Sequence, residues 1–380
     1  MNIAVDARCF LKGEHDESAK FLSGFFLDIA ASHKDHTFIF IFDKPYHSSS
    51  RFSENVIPVI KAPVANSPAK WYIWYNIKIP LLLKKYRADV FVCTDGFCSL
   101  TTKVPQCLIL NDLGFLKFPL FIERKRVLFS KKFTRRFIKR ASVIITGSQF
   151  SKTEIISRYK CAPGKIQVIY PRSYEDSAVL SIEERESIKE KYANGNEYYV
   201  YAGPIDPGKN LMNLLKAFSA FKKRQKSSMR LVIASRQAQQ YEEFIASLQL
   251  FRFKDDVTLL TSQPAIELTR IIASSYAMIY VPFVEDTGSV LFTAMNAEVP
   301  IVTSSTGAMP ELCGDAALYA HPENFKEIAI KMMDLFKDED LRRTLIEKGK
   351  EQVKKFSLEQ SAGFYWEAIR KAAGDWKTEG

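Results

Sequence analysis

Short apolar runs alternate along the chain with longer stretches of helical periodicity. Asn2–Asp6, Thr37–Phe42 and Val56–Ile60 have the length and composition of strands, and Ser18–Ala31 places Phe21, Phe25 and Ile29 at helical spacing. Trp71–Tyr86 reads as an amphipathic helix rich in aromatics. Ala88–Thr94 and Gln106–Asn111 read as buried strands ending in polar residues, Ile122–Arg140 as a long basic helix, and Ser142–Thr146 and Lys165–Tyr170 as strands. Between the last two, Ser151 and Glu154 have the S-x-x-E spacing of a capping box, which predicts a helix start there.

The pattern begins again after residue 196. Tyr198–Ala202 reads as a strand, followed by a helix from Asn210 to Lys223 with Leu211, Leu214, Leu215, Phe218 and Phe221 on one face. Met229–Ala234, Val257–Leu260, Tyr276–Val281, Pro300–Thr303 and Ala317–Ala320 continue as strands with helices between them. Ser357 and Gln360 fit a further capping box at the start of a last helix. Regular alternation of strand and helix implies parallel sheets covered on both faces. Residues 171–196 are mostly polar and end in Asn194-Gly195-Asn196, which marks a boundary. The expected organisation is a first domain over 1–172, a linker over 173–196 and a second domain over 197–357. The last helix, 358–373, is free to pack back on the first domain. The fold class is α/β, with two doubly wound parallel-sheet domains facing each other across a cleft. Ligands of such sheets bind at the carboxyl ends of the strands.

Composition narrows the function. The 380 residues are 47% hydrophobic and 26% charged, with 28 Phe and 16 Tyr, as suits large folded cores. No apolar run approaches the roughly 20 residues of a membrane span. The first residues enter a strand without a basic and apolar leader, so a cytoplasmic location is expected. Six cysteines form no C-x-x-C pair and have no histidine partners, so buried thiols are expected and no metal site. Residues 1–172 hold 28 Lys and Arg against 13 Asp and Glu, whereas the remainder holds 26 against 30. That asymmetry bears on partners.

Two stretches carry candidate chemistry. Tyr201–Asn210 runs from a strand through a Pro/Gly turn to Lys209 at a helix start, where a cation beside free amides suits a phosphate. A solvated lysine on a plain turn accounts for the same residues equally well. In Val281–Pro310, a strand gives way to a loop with Glu285 and Asp286 and then to a helix near Gly288. A carboxylate before a helix commonly just favours the helix dipole. Packed between apolar elements, it needs partners.

The stretches YAGPIDPGKNLMNLLKAF, LVIAS and VTLLTSQPAIELTRIIASSYAMIYVPFVEDTGSVLFTAMNAEVPIVTSSTGAMPELCGDAALYAHPENFKEIA resemble the C-terminal domain of glycosyltransferase family 4. The first half is similar too, through MNIAVDAR, LILNDLGFLKFP, ASVIITGSQFSKTEIISRY and KIQVIYP. The resemblance covers nearly the whole chain and is most specific over 201–218 and 276–329. It implies the GT-B architecture, a nucleotide-sugar held mainly by the second domain, and transfer with retention and no essential metal or cofactor. Lys209 matches the lysine that neutralises the donor diphosphate, and Glu285 the first Glu of the Glu-x7-Glu motif, which contacts the donor sugar. Gly288, Ser289 and Val290 match the backbone that approaches phosphate and sugar. Gly203, Asn210 and Asp286 complete the expected donor site.

The chain departs from that pattern in four places. Thr293 stands where the second Glu holds the ribose, and Gly208 precedes Lys209 in place of an arginine. The first loop is Glu14–Lys20, not glycine-rich, with Glu17 and Ser18 as acceptor-side candidates. Asn111-Asp112 replaces His-Asp, and an asparagine can hydrogen-bond a sugar hydroxyl but cannot serve as a proton carrier. Asp112, Lys209 and Glu285 are the expected catalytic residues.

The expected activity is glycosyl transfer from a nucleoside-diphosphate sugar to a glycan or lipid-linked saccharide, as in surface polysaccharide synthesis. A catalytically silent nucleotide- or glycan-binding partner and a nucleotide-sugar epimerase are the other classes considered. An epimerase would need acid/base groups in the cleft, and histidines there are scarce. Between Arg124 and Arg140 lie nine Lys or Arg interleaved with apolar residues. A core-packing helix with a solvated face explains the apolar residues, and contact with an anionic membrane surface would use the cations. Nothing resembles a nucleic-acid module. Asp338-Glu-Asp340 has the D-x-D form of a metal–nucleotide motif but falls where acidic residues open a helix.

Overall fold

The computed structural model describes the chain except residues 13–16, 47–51, 112, 171–178, 236–240, 262, 286–287, 357 and 375–380, and gives backbone alone for 12, 17–21, 241 and 358–360. It divides into two compact units, Met1–Pro171 with Leu358–Gly380, and Arg172–Ser357.

The first unit is built on a seven-stranded sheet. Its strands are β1 (Asn2–Asp6), β2 (Thr37–Phe42), β3 (Val56–Ile60), β4 (Val90–Cys93), β5 (Gln106–Ile109), β6 (Val143–Thr146) and β7 (Ile166–Val168), in the order β3-β2-β1-β4-β5-β6-β7. Every pairing is parallel. Because alternate residues of each strand point to opposite faces, Ala4, Ile39, Phe91, Leu108 and Ile144 face one core, and Val5, Phe40, Val92, Ile109 and Ile145 the other. The first core is closed by the aromatic helices 68–85 and 124–140, the second by helix Glu17–Ser32 and the C-terminal helix Leu358–Ala373. That last helix lays Tyr365 on Phe25, with ring centroids 4.4 Å apart, and Trp366 on His33 at 3.9 Å.

The second unit repeats the plan with six strands. These are β8 (Tyr198–Ala202), β9 (Arg230–Ser235), β10 (Val257–Thr261), β11 (Ala277–Tyr280), β12 (Ile301–Ser304) and β13 (Ala317–Ala320), ordered β10-β9-β8-β11-β12-β13, again all parallel. In both sheets the chain winds outward from a central strand, returns, and continues on its other side. The reversal falls between β1 and β4 in one sheet and between β8 and β11 in the other, and such switch points open a crevice at the strands' carboxyl ends.

Two local expectations are corrected. Helix Gln149–Tyr159 starts a turn earlier than the capping-box pattern predicts. Ser148 is the cap, accepting from the Ser151 amide at 3.1 Å, while Glu154 sits inside the helix and pairs with Arg158 and Lys117. A second serine at the correct offset, just past β6, outcompetes the first. The aromatic helix begins at Pro68 and contains a π turn, Trp74–Lys78. Pro80 has no N–H for the Asn76 carbonyl, and that carbonyl instead accepts from the Thr101 hydroxyl at 2.7 Å. The side chain of Asn76 donates to the Tyr72 carbonyl at 3.0 Å and accepts from the Leu100 amide at 2.8 Å. The pattern at Ser357 lies outside the described residues. Asp338 caps helix Glu339–Lys354 by accepting from the Leu341 amide at 2.8 Å.

Candidate functional site

The loops leaving β8 and β11 meet at the second sheet's switch point. After β8 the chain turns at Gly203, whose φ of 147° puts a notional Cβ 3.1 Å from the Tyr201 hydroxyl. Asp206 then caps the tight turn Pro207–Lys209 by accepting from the Gly208 amide at 2.9 Å. The Gly208 carbonyl accepts from the Phe283 amide at 2.8 Å and the Val284 amide at 3.3 Å, which ties this turn to the loop after β11. Asn210 is 5% exposed and its amide donates to the carbonyls of Val281 at 2.9 Å and Pro322 at 2.6 Å. It anchors the loops, so that Lys209 is delivered to a fixed place.

That place is Glu285. Lys209 Nζ donates to Glu285 Oε2 at 2.7 Å and to the Val284 carbonyl at 3.3 Å. Tyr280, the last residue of β11, donates its hydroxyl to the same Oε2 at 2.5 Å. The Gly288 amide donates to Oε1 at 3.1 Å. The two side chains are only 17% and 11% exposed. Burial alone would push the Glu285 carboxyl up, but the Lys209 charge, the two side-chain hydrogen bonds and the Gly288 amide hold it well below the usual carboxylate range. Burial would likewise lower Lys209, and the charges of Glu285 and Asp206 raise it well above the usual ammonium range. Burial pushes Asp206 itself up, against the pull of Lys209. The pair is ionised on both sides. Tyr201 stacks on Tyr280 at 5.8 Å, so two aromatic rings lie together beside the ion pair.

Gly288 is the N-cap of helix Ser289–Asn296 and adopts the left-handed region at φ 51°. A Cβ there would lie 2.9 Å from Leu312 Cδ1 and 3.0 Å from Met309 Cε. The glycine therefore serves both the turn and close packing. Ser289 and Val290 form the helix's first turn, at the positive end of its dipole. The structure thus brings Gly203, Lys209, Asn210, Glu285, Gly288, Ser289 and Val290 into one loop cluster. Thr293 stands further along that helix and is 7% exposed.

Of the other expected residues, one, in the first unit, is described with its side chain, and the rest are described in backbone alone or not at all. Asn111 follows β5 in the first unit, and its buried Oδ1 has no hydrogen-bond partner among the described residues. Glu17 and Ser18 open helix Glu17–Ser32, their side chains outside the described residues. Asp112 and Asp286 also lie outside the described residues.

Two features escaped the sequence reading. One is Tyr280, whose strand position gave no sign that its hydroxyl reaches a carboxylate five residues on. The other lies at the first sheet's switch point. Arg8 grips Asp6 through Nε and Nη2, both at 2.8 Å, and also meets the Tyr75 hydroxyl, which donates to Asp6 at 2.7 Å. Its guanidinium lies 5.3 Å from the Trp74 ring centroid and 5.0 Å from that of Tyr75. The only sequence signal was an Asp at a strand end with an Arg two residues later.

Comparison with known proteins bears on this geometry. The family model "Glycosyltransferase Family 4" matches residues 30–171 and "Glycosyl transferases group 1" matches 183–352, which takes in most of both units. The chain belongs to these glycosyltransferases. The transferase is 24% identical over 250 residues to O-antigen chain mannosyltransferase B of Escherichia coli, which is 66% of each chain. It is 26% identical to O-antigen chain mannosyltransferase RfbU of Salmonella typhimurium, over 71% of this chain and 72% of that one. The alignments thus span about two thirds of the relatives' own length. A solved structure, Anabaena HepE in complex with UDP and glucose, matches with a TM-score of 0.72 at 15% identity, over 97% of this chain and 99% of that one. At that identity the likeness speaks for fold alone, and the fold is GT-B. No described helix of the transferase is long and apolar enough to cross a membrane.

Proposed function

We propose that the transferase moves a sugar, with retention of configuration, from a nucleoside-diphosphate donor to a glycan or lipid-linked saccharide of a surface polysaccharide. The observation that carries this is the Lys209–Glu285 pair at the switch point, 2.7 Å long and beside the start of helix Ser289–Asn296. Breaking the bond between the anomeric carbon and the diphosphate leaves its electron pair on a phosphate oxygen. Lys209 and the amides of Ser289 and Val290 stabilise that charge, with no metal ion required. Once the diphosphate engages Lys209, the Glu285 carboxylate is released to accept hydroxyls of the sugar, still held by Tyr280 and the Gly288 amide. Asp286 and Thr293 belong to the donor side, and Thr293 offers the ribose a neutral hydroxyl in place of a carboxylate. On the acceptor side, Asn111, Asp112, Glu17 and Ser18 recognise the nucleophilic saccharide, and Asn111 Oδ1, buried without a partner among the described residues, supports that role. Relatives named as O-antigen mannosyltransferases, and a fold neighbour holding UDP and glucose, support the same class of donor and product. The enzyme works in the cytoplasm at the inner membrane surface, where a lipid-linked acceptor resides.

A panel of nucleotides and nucleotide-sugars, read by thermal stabilisation and then by product NMR, tests this. One nucleoside diphosphate should raise Tm, and its sugar should appear in product with the donor's anomeric configuration in the presence of a metal chelator. Inversion, or turnover abolished by the chelator, overturns the corresponding part. Binding without turnover for any donor and acceptor would favour the silent-partner reading.

A further inference from the structure

The first unit carries a face that the donor chemistry does not use. Segments Pro68–Ile73, Trp74–Lys78 and Ile79–Lys85 form one continuous helical stretch. Its inner side buries Trp71, Trp74, Tyr75, Ile79, Leu82 and Leu83. Its outer side is apolar as well, with Tyr72 44%, Ile73 37%, Ile77 49% and Leu81 62% exposed. A helix on the surface of a water-soluble unit normally turns polar residues outward. Ile73, Ile77 and Leu81 recur every four residues, a spacing that sets them along one side of a helical stretch, and all three are exposed.

The ridge lies among cations. Residues 66–88 contain five Lys or Arg and no carboxylate, and 124–140 contain nine and again none. The Tyr72 ring lies 5.8 Å from that of Phe133, which sets the ridge beside helix Arg124–Arg140. Lys132 and Arg136 flank the same Phe133 ring at 5.3 Å and 5.8 Å. The helix buries Val127, Phe129, Phe133 and Phe137, and it exposes Lys131, Lys132, Arg135, Arg136 and Lys139 together with Leu128. Its cations therefore adjoin the ridge but do not contain it.

We propose that this face docks on an anionic lipid bilayer, with Ile73, Ile77 and Leu81 entering the acyl boundary, Tyr72 at headgroup level and the surrounding cations on lipid phosphates. This deepens the membrane part of the proposed function by placing the inserting residues on 68–85, and it does not depend on the donor assignment. Charge selects the occupant. In a two-fold dimer a second copy would set the same cluster of cations against itself. A nucleic acid would use the cations and leave the aliphatic ridge in water. An acidic membrane offers anionic groups above an apolar layer and so answers both the cations and the ridge.

The test is co-sedimentation of the full chain with phosphatidylcholine vesicles, with and without phosphatidylglycerol, at low and high salt. Wild type should bind only the vesicles with phosphatidylglycerol, and salt should weaken it. The variant I73S/I77S/L81S should bind those vesicles about tenfold less well. The variant K131E/K132E/R135E/R136E should not bind. All seven positions are exposed, so both variants should keep the wild-type Tm and donor turnover with a water-soluble acceptor. Wild type that ignores the anionic vesicles, or a serine variant that binds as well as wild type, overturns the proposal. A concentration-dependent dimer that the serine variant abolishes would also overturn it, in favour of a second copy. Loss of turnover in wild type with vesicle binding intact would count against the transferase mechanism alone.

Discussion

The two sheets place a similar trio at their switch points and use it differently. In the first, Asp6 takes a cation from Arg8 and a hydroxyl from Tyr75. In the second, Glu285 takes a cation from Lys209 and a hydroxyl from Tyr280. The first trio is closed. Asp6 is fully buried, Arg8 is 9% exposed, and the planar guanidinium is bidentate and backed by two aromatic rings. Arginine there is locked in geometry and always charged. The second trio keeps 11% and 17% exposure, and its cation is a point charge on a flexible stem. On the proposed function, such a lysine exchanges its carboxylate for a donor phosphate by a small swing. The first arrangement is a rivet of the fold, and the second, on the same proposal, is a seat that the donor takes over.

The sharpest break in that comparison is Asp6→Asn. It removes the bidentate partner of a buried guanidinium and leaves it the longer 3.7 Å pair with Asp95, and denaturant unfolding should show a loss of about 3 kcal/mol. Because arginine does not titrate, the loss should be similar at pH 5 and pH 8. Lys209→Ala should instead act on chemistry, lowering donor turnover about 10²- to 10³-fold. Wild-type turnover in that variant would refute the donor assignment.

The pH dependence of Lys209→Ala separates the two trios further. In wild type the folded Glu285 carboxyl is depressed below its ordinary 4.5, so its contribution is present above that value and is lost as pH falls through the folded one. Without its cation, the buried carboxylate titrates upward and the folded state prefers the protonated form. The Tm gap between wild type and variant should therefore widen from pH 4 to pH 7, unlike the flat loss of Asp6→Asn.

Smaller effects follow. Gly288→Ala places a side chain at φ 51° and 2.9 Å from Leu312, and should cost about 1–3 kcal/mol by thermal unfolding while weakening donor binding. Tyr280→Phe removes one hydrogen bond to Glu285, and a loss of about 0.5–1.5 kcal/mol is expected, seen in the donor KM more than in stability.

Much of the fold was legible because strand and helix periodicities are local. The runs at Asn2–Asp6, Thr37–Phe42, Val56–Ile60 and Tyr198–Ala202 coincide with β1, β2, β3 and β8. Caps were less legible, since Ser148 and Ser151 both suit the position and only the path out of β6 chooses between them. The π turn was hidden because its cause, Pro80, is answered by Thr101, 21 residues away.

The sequence by itself settled the alternation of elements and the parallel sheets, and it named the residues proposed to hold a nucleotide-sugar. Those depend on residue type and short-range order. Tertiary structure alone decided which groups face each other. Lys209 and Glu285 are 76 residues apart, and Asp6 and Tyr75 69 apart. Each pair meets only because a sheet reverses its winding between two particular strands. Whether such a pair is a rivet or a seat depends on the water left around it, and packing sets that.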